Sequence, residues 1–397
     1  MRFIVIGIQD HPQPFFSPEV LQIISHGMVF SGGKRHHEIM APWLPPHHRW
    51  IDITTPLDAV FQQYDTPEII VFASGDPLFF GFANTIKRRM PDADLLVYPS
   101  FNSLQVLAHR LVMPYHDMRM VSLTGRPWQE FDKALIQQVG TIGVLTDRVH
   151  TPSAIARRMI EYGYTGYTMH IGEHLGHPDE ERISTCSLDD AACLDFGHPN
   201  CLILVHQPPL PSSAPPFGIP DNEFSLLNGR QKMITKMPIR LLTLQRLDLP
   251  QRHVFWDIGF CTGSVSIEAR LQFPHLHVVS FEKREECESI MLENCRKMGA
   301  PGIEIHICDF LDADLTDIPR PDAVFIGGHG GKLNAIIAKV KNYLEPGGCI
   351  VMNSVTPQSK TLFESACAEQ GLIPSPSMHI KLNDFNPIEI LKCTKQP

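Results

Sequence analysis

The residues best suited to hold a nucleoside follow three apolar stretches in the second half of the chain. The first stretch leads into Asp257-Ile-Gly-Phe-Cys-Thr-Gly263, a glycine turn that would let a ligand approach the backbone before a helix begins. The second ends at Glu282, an acid about twenty residues beyond the turn and suited to hydrogen-bond a ribose diol. The third ends at Asp309 and Phe310, a carboxylate and an aromatic ring that could hold an adenine. Three such strand ends together predict one nucleoside site.

Two cofactors carry a ribose that this site could hold: a dinucleotide and S-adenosylmethionine. A dinucleotide places its pyrophosphate on a helix N-terminus after Gly-x-Gly-x-x-Gly, a pattern that Gly259-Phe-Cys-Thr-Gly263 does not match. Asp257 would repel a phosphate, but it could receive the cationic part of S-adenosylmethionine. The Asp-x-Gly-x-x-Thr-Gly pattern resembles motif I of the class I methyltransferases. A nucleotide dehydrogenase and a sheet that no longer binds a nucleotide are the alternatives.

One residue of this turn departs from the usual Gly-x-Gly-Thr-Gly of that family, because Cys261 stands where the middle glycine is expected. Either a small side chain is tolerated in a slightly widened turn, or cofactor binding is weakened and the domain has lost activity. The resemblance implies cofactor contacts from Asp257, Gly259, Cys261, Thr262, Gly263, Glu282, Asp309 and Phe310.

The first half carries Ser-Gly-Asp-Pro at the end of the apolar stretch that begins at Ile70. Proline after aspartate fixes a turn, and glycine lets the backbone present polar groups to a ligand. Together with Pro99-Ser-Phe-Asn-Ser103 and Leu123-Thr-Gly-Arg126, this loop resembles the tetrapyrrole (corrin/porphyrin) methylase family across residues 1–206. The chain departs from that family at Gln9 and Thr124. The resemblance implies S-adenosylmethionine contacts from Gly75, Asp76, Pro77 and Ser103.

The pairing of the two halves is more specific than either alone. It resembles the two-domain precorrin methyltransferases of cobalamin biosynthesis, with further signatures at Ile234-Thr-Lys236 and Phe325-Ile-Gly-Gly-His-Gly-Gly331. The resemblance implies methylation of a precorrin at ring position C-5 by the first domain and at C-15 by the second, with loss of the ring C acetate carboxyl group. It also implies one S-adenosylmethionine per domain, with Thr235 among its contacts, and no metal.

The substrate implied by this family carries many carboxylates, which cations or hydrogen-bond donors would hold. Each of the residues named as candidates at the end of this paragraph could equally be a surface group that contacts only water. Whether the macrocycle already contains cobalt, which methylation comes first and which group protonates the decarboxylated carbon stay open. The candidates for substrate contact are Lys34, Arg35, His36, His37, Arg126, Lys236, Arg240 and His329.

Composition limits the other function classes. An RNA methyltransferase would need a basic surface, whereas 34 Lys+Arg against 43 Asp+Glu give a net charge of −9, and neither half is basic. A non-catalytic scaffold that binds S-adenosylmethionine is the second alternative, motivated by Cys261 and Gln9. The chain shows no long apolar run and no signal-peptide pattern, so we expect a cytoplasmic protein without a membrane span. Association into a homo-oligomer is a general expectation for such enzymes.

The second half alternates short apolar runs with stretches of helical spacing. Such alternation predicts a class I Rossmann-like methyltransferase domain over 218–397, with a mainly parallel doubly wound sheet. The predicted strands are 253–258, 276–281, 303–308, 323–326 and 349–352, and the predicted helices are 264–272, 285–298, 332–343 and 360–370.

The first half, 1–206, also alternates, which predicts an α/β tetrapyrrole-methylase fold of two subdomains. Its later strands lack crossover helices of sufficient length, so we expect them to be antiparallel. The proline-rich segment 207–217 predicts an extended linker between the domains. The predicted strands are 3–8, 69–73, 95–98, 120–123, 141–145, 168–172, 183–186 and 201–206.

Overall fold

The computed structural model describes residues 1–207, 217–230, 233–383 and 386–396. These residues form two compact units. One comprises Met1–Arg126, Gly140–Arg158 and the residues from Gly166 up to 207, and the other comprises Pro127–Val139, Met159–Thr165 and the residues from 217 onward. The linker predicted at 207–217 falls mainly on 208–216, which lie outside the described residues, so the domain limits at 206 and 218 stay predictions.

The first unit begins with a sheet of five parallel strands in the order β3-β2-β4-β1-β5. Its central strands β1 and β4 are almost continuous apolar runs and are buried along nearly their whole length, as a parallel sheet between helices requires. The strands are β1 (Arg2–Ile8), β2 (Val29–Gly32), β3 (Arg49–Asp52), β4 (Glu68–Ser74) and β5 (Asp94–Tyr98), and the helices are α1 (Pro18–His26), α2 (Lys34–Met40), α3 (Leu57–Phe61), α4 (Phe82–Arg89) and α5 (Ser103–Arg110).

A second, mixed sheet completes this unit in the order β6-β7-β10-β8-β9. Only β6 and β7 are parallel, and the other neighbouring pairs are antiparallel, which confirms the expectation for the later strands. The strands are β6 (Arg119–Ser122), β7 (Thr141–Leu145), β8 (Tyr167–Glu173), β9 (Arg182–Ser187) and β10 (Asn200–His206). The helices of this stretch of the chain are α6 (Gln129–Ile136), α7 (Pro152–Glu161) and α8 (Leu188–Cys193), of which α6 and the end of α7 belong to the second unit.

The second unit is built on a sheet of seven strands in the order β13-β12-β11-β14-β15-β17-β16, in which β17 alone runs antiparallel. The strand order reverses beside β11, and a parallel sheet opens a crevice for ligands at such a point. The strands are β11 (Val254–Ile258), β12 (His277–Glu282), β13 (Ile303–Ile307), β14 (Ala323–Ile326), β15 (Cys349–Ser354), β16 (Ile373–Ile380) and β17 (Ile388–Thr394). The helices are α9 (Met237–Arg246), α10 (Ser264–Gln272), α11 (Glu286–Met298), α12 (Leu333–Tyr343) and α13 (Pro357–Glu369).

The mainly parallel, doubly wound sheet predicted for the second half is thereby confirmed. Apolar side chains cover both of its faces, with Trp256 and Phe281 in one core cluster and Phe255 and Phe325 in another. In the part of the chain that the structure describes, no helix has the length and apolar character needed to cross a bilayer.

Candidate cofactor and substrate sites

A cavity of about 440 Å³ opens at the carboxyl ends of β11, β12, β13 and β14 in the second unit. The residues that the sequence singles out on separate strands meet in its wall, because parallel strands end at the same edge of the sheet. Gly263 is the N-cap residue of α10, directly after the turn, and does not itself line the cavity. The singled-out residues that do line it are Thr235, Asp257, Gly259, Cys261, Thr262, Glu282, Asp309, Phe310 and His329.

The turn after β11 needs glycine at two positions. Gly259 has φ +81°, and a Cβ there would lie 2.8 Å from the backbone nitrogen of Gly328. Gly263 has φ +77°, and a Cβ there would lie 1.7 Å from Sδ of Met291. At Gly259 a left-handed backbone and contact with another backbone segment together exclude a side chain, whereas at Gly263 the left-handed backbone is the main constraint, because the flexible Met291 side chain could move.

Cys261 also has a positive φ, +53°, and its side chain is buried. This value lies in the narrow left-handed region that a non-glycine residue can enter at a modest energetic cost. The backbone N–H of Cys261 donates to Oε2 of Glu282 at 3.1 Å. This backbone hydrogen bond holds the turn against Glu282, the acid at the end of β12.

Glu282 is almost fully buried, and five N–H groups donate to its carboxylate. Three are backbone groups, those of Cys261, Lys283 and Arg284, and two belong to the Arg284 guanidinium, at 3.0 and 2.7 Å. Burial alone would raise the pKa of Glu282, but the hydrogen bonds and charge of Arg284 hold it below its usual range. Glu282 is therefore an ionised acceptor at neutral pH.

Asp257 is buried at the end of β11 and incompletely hydrogen-bonded. Its Oδ2 accepts from the Ser266 hydroxyl at 2.5 Å, whereas its Oδ1 has no partner among the described residues. The Thr262 hydroxyl oxygen, buried beside it, also lacks a partner within the described part of the chain. Burial raises the pKa of Asp257 to about 7. Because orphaned buried polar atoms are costly, these two side chains are suited to receive a cationic or hydrogen-bonding ligand from the cavity.

Asp309 and Phe310 form the third part of this wall. The Lys332 ammonium donates to Oδ2 of Asp309 at 2.9 Å, and this hydrogen bond lowers the pKa of Asp309. Phe310 lines the cavity and also packs in the core, with its ring centroid 5.1 Å from that of Phe281. Across the cavity, Nδ1 of His329 accepts from the backbone N–H of Gly331 at 3.2 Å, so Nε2 is the nitrogen that carries a proton.

The two other substrate candidates of the second half lie outside the cavity wall. Lys236 lies 3.5 Å from Asp221. Arg240 is fully buried on α9, where its guanidinium donates to Glu268 at 3.2 Å and to the Thr235 carbonyl at 2.9 Å and stacks on the Phe224 ring. The expectation that Arg240 contacts substrate is therefore corrected: it ties α9 to α10 and to the segment before α9.

Loss of this buried cation is expected to destabilise the second unit. Glu268 is itself fully buried and also accepts from the backbone N–H groups of Gly218 and Ile219. In Arg240→Met the carboxylate would lose its charge partner, which typically costs about 3–5 kcal/mol. Urea unfolding followed by circular dichroism measures the change in the free energy of unfolding.

Arg320→Met is the matched control, because Arg320 pairs with Glu345 at 3.2 Å and donates to the Asn342 and Tyr343 carbonyls at the surface, where water can replace the hydrogen bonds that the variant loses. Its expected cost is at most about 1 kcal/mol. Equal destabilisation in the two variants would contradict the role given to Arg240.

In the first unit a cavity of about 580 Å³ lies at the ends of β1, β4 and β7. Gly75 and Ser103 line it, whereas Asp76 and Pro77 do not. Gly75 has φ +59°, and a Cβ there would lie 2.8 Å from Cα of Asn102, so the loop after β4 fits closely against the start of α5. Asp76 instead closes its own turn by accepting from the backbone N–H of Leu78 at 2.8 Å.

Arg35, His36 and Arg126 also line this cavity. The Arg35 guanidinium and His36 Nε2 both contact the Ser74 hydroxyl, at 3.1 and 2.9 Å. Burial, followed by the charge of Arg35, lowers the pKa of His36 to about 4, so at neutral pH His36 is a neutral donor and not a cation. Arg126 lies 5.2 Å from the centroid of the Phe80 ring. Lys34 is exposed, and His37 stacks on Trp50 at 4.1 Å; neither lines the cavity.

The sequence did not single out three charged residues that line the second-unit cavity: Lys283, Arg284 and Lys332. Lys283 and Arg284 directly follow Glu282 in the chain, and Lys332 follows the glycine-rich loop. Their position in the chain, next to Glu282 and to the glycine-rich loop, was the feature of the sequence that could have identified them as cavity residues.

Two family models match the chain in succession. The Tetrapyrrole (Corrin/Porphyrin) Methylases model matches residues 17–192, and the Precorrin methyltransferase domain model matches residues 228–388. Precorrin-6Y C(5,15)-methyltransferase [decarboxylating] of Sinorhizobium sp is 29% identical over 374 residues, which cover 92% of this chain and 88% of that protein.

Two further relatives each match less than half of the chain. Cobalt-precorrin-6B C(15)-methyltransferase (decarboxylating) of Salmonella typhimurium is 33% identical over 162 residues, covering 41% of this chain and 83% of that protein. The crystal structure of precorrin-6y C5,15-methyltransferase from Geobacter metallireducens is similar at 32% identity with a TM-score of 0.41, covering 45% of this chain and 98% of that one. The chain belongs to the precorrin-6Y C(5,15)-methyltransferase (decarboxylating) family, in which a tetrapyrrole methylase domain precedes a precorrin methyltransferase domain.

Proposed function

We propose that this enzyme methylates a precorrin at C-5 and C-15 and removes the ring C acetate carboxyl group, with one S-adenosylmethionine bound in each domain. The observation that carries the proposal is the second-unit cavity, where Asp257 and Thr262 hold orphaned polar atoms beside the buried acid Glu282. An orphaned anion at one end and a ribose acceptor at the other match a ligand with a cationic amino-acid part and a nucleoside part.

In the second unit the chain's own residues would orient the methyl donor. Asp257 and Thr262 would bind its cationic part, Glu282 its ribose, and Asp309 and Phe310 its adenine. When bound, S-adenosylmethionine supplies an electrophilic methyl group on a sulfonium. The acceptor is an electron-rich ring carbon of the substrate, so the chain need supply only alignment and exclusion of water, without an activated nucleophile. Decarboxylation can use the conjugated macrocycle as its electron sink.

In the first unit, Gly75 and Ser103 would contact the second molecule of S-adenosylmethionine, with Asp76 and Pro77 shaping the loop. Arg35, His36 and Arg126 face the same cavity and would hold substrate carboxylates there. His329 would play that part in the second unit as a hydrogen-bond donor through Nε2. Lys236 would reach substrate only at the rim, since it does not line the cavity.

The test is anaerobic incubation of the purified chain with S-adenosylmethionine and either metal-free or cobalt-containing precorrin-6Y, followed by mass spectrometry. Gain of two methyl groups with loss of one CO₂ supports the proposal and identifies which substrate is used. Gain of one methyl group without loss of CO₂ would mean that the second domain is silent. Cofactor binding without any change of either substrate would overturn the proposal and favour a scaffold or an RNA methyltransferase.

The cofactor affinity of the second unit is expected to rise with pH. The pKa of Asp257 is raised to about 7 by burial, so below pH 7 its carboxyl group is mostly neutral and above pH 7 mostly ionised. A cationic ligand binds the ionised form, so the affinity should increase by about eightfold from pH 6.0 to pH 7.5. Equilibrium dialysis with S-adenosylmethionine measures it in a Gly75→Val background, in which only the second-unit site is expected to bind.

Asp257→Asn should bind more weakly and lose this pH dependence, because an amide does not titrate in that range. The same eightfold rise in Asp257→Asn would show that another group is responsible.

A further inference from the structure

The carboxylate of Glu282 has no acceptor position left for a ribose in this structure. Oε1 accepts from the backbone N–H of Lys283 at 2.9 Å and from the backbone and Nε of Arg284 at 3.2 and 3.0 Å. Oε2 accepts from the backbone N–H of Cys261 at 3.1 Å and from Nη2 of Arg284 at 2.7 Å. A carboxylate offers about four lone-pair sites, so the five donors occupy all of them, with three N–H groups sharing the two sites of Oε1.

Only the two donors of the Arg284 guanidinium can leave without unfolding the turn. The three backbone N–H groups are held by the chain at the ends of β11 and β12. The Arg284 side chain is 30% exposed, against 3% for Glu282, and it lines the same cavity. A ribose diol that donates to Glu282 must therefore replace the two hydrogen bonds of the guanidinium.

A displaced guanidinium would stay within a cavity wall that holds two further cations, Lys283 and Lys332. Lys283 also lines the wall, and its ammonium lies 3.3 Å from the position that a Cβ on Gly330 would occupy. Lys332, the next cation, is held by Asp309 at 2.9 Å. Two neighbouring cations, Lys283 and the freed Arg284, would form a site for a carboxylate that exists only after the ribose has bound.

We infer that Arg284 exchanges partners during the reaction cycle: it occupies the ribose position on Glu282 in the free enzyme, and once the cofactor displaces it, it binds a carboxylate of the tetrapyrrole. The inference rests on the proposed function for its substrate part. Arg284 then has two roles: in the free enzyme it competes with the cofactor for Glu282, and once displaced it binds the substrate. Binding of the cofactor and binding of the substrate are therefore cooperative. Cofactor binding then precedes tight substrate binding in this domain.

The first test is the affinity for S-adenosylhomocysteine, measured by calorimetry with Arg284→Met in the full-length chain. A Gly75→Val background restricts the signal to the second unit. Loss of a partly exposed competitor should tighten binding by about twofold to fivefold. Arg320→Met, which removes a surface pair with Glu345, should leave the affinity unchanged. Unchanged or weaker binding in Arg284→Met would overturn the competitor role and make Arg284 a residue that positions Glu282.

The second test measures coupling with uroporphyrin, a polycarboxylate porphyrin, as the probe. In the Gly75→Val background with Arg284 present, saturating S-adenosylhomocysteine should increase uroporphyrin affinity, and uroporphyrin should increase S-adenosylhomocysteine affinity by the same factor. In Arg284→Met that factor should fall to one. A factor of one with Arg284 in place overturns the substrate role of Arg284, even where the first test succeeds. A native chain that binds neither probe contradicts the proposed function itself.

Discussion

A Gly259→Val chain is expected to add one methyl group to precorrin-6Y and to retain the ring C acetate carboxyl group. The valine Cβ would lie 2.8 Å from the backbone nitrogen of Gly328 and 3.0 Å from its oxygen, at a residue with φ +81°. Left-handed strain and overpacking together cost enough to weaken cofactor binding in the second unit by about a hundredfold. The C-5 methylation proposed for the first unit should continue. Mass spectrometry of the product separates the two outcomes.

Gly371→Val is the control for backbone strain alone. Gly371 lies in the same unit with φ +67°, but a Cβ there meets nothing within 4 Å. This variant should lose some stability and keep both methylations. If Gly259→Val still yields the doubly methylated, decarboxylated product at the native rate, the turn after β11 is not the second cofactor site.

The reciprocal result is expected for Gly75→Val. Its Cβ would lie 2.8 Å from Cα of Asn102 and 3.1 Å from the Phe101 carbonyl oxygen, at φ +59°. The loop after β4 would have to move away from α5, and cofactor binding in the first unit should fall by about a hundredfold. The product should carry one methyl group, at C-15, and lack the acetate carboxyl group.

Gly163→Val serves as the comparison, because Gly163 has φ +74° in open space. The position of the added methyl group is read by nuclear magnetic resonance. Loss of both methylations in Gly75→Val, with the fold intact by circular dichroism, would show that C-15 methylation requires the C-5 methyl group. Native activity in Gly75→Val would show that the loop after β4 is not part of the cofactor site.

The second half was the more predictable part of the molecule because its strands and helices have strong, unambiguous periodicity. Helix α10 begins at Ser264 and ends at Gln272, as the pattern of apolar residues indicates. Strands β2 and β3 were missed because each is short and contains polar residues or glycine, so neither shows an apolar run comparable with those of β1 and β4. Strand β16 contains Pro374 and Pro376, which argue against a strand, but at the edge of a sheet a proline removes no ladder hydrogen bond.

The site was predictable as a set of strand ends, but the partners of its charges were not. Nothing in the spacing of Arg240 shows that Glu268, on the next helix, lies within 3.2 Å of its guanidinium. Likewise, the sequence places Glu282 next to Lys283 and Arg284 without showing that one of them turns back onto its carboxylate. Ion pairs depend on side-chain directions after packing, and these follow from tertiary structure.

The contact between Gly259 and Gly328 also bears on how this enzyme can change over generations. A Cβ on Gly259 would meet the backbone of Gly328, so a substitution at Gly259 would have to be accompanied by a shift of the loop that contains Gly328, whereas a Cβ on Gly328 itself would meet nothing within 4 Å. Cys261, two residues further on at φ +53°, faces no such restriction, because a small side chain can enter that conformation. We therefore expect substitutions in this turn to accumulate at its middle position, and a change at Gly259 to require a compensating change in the loop around Gly328.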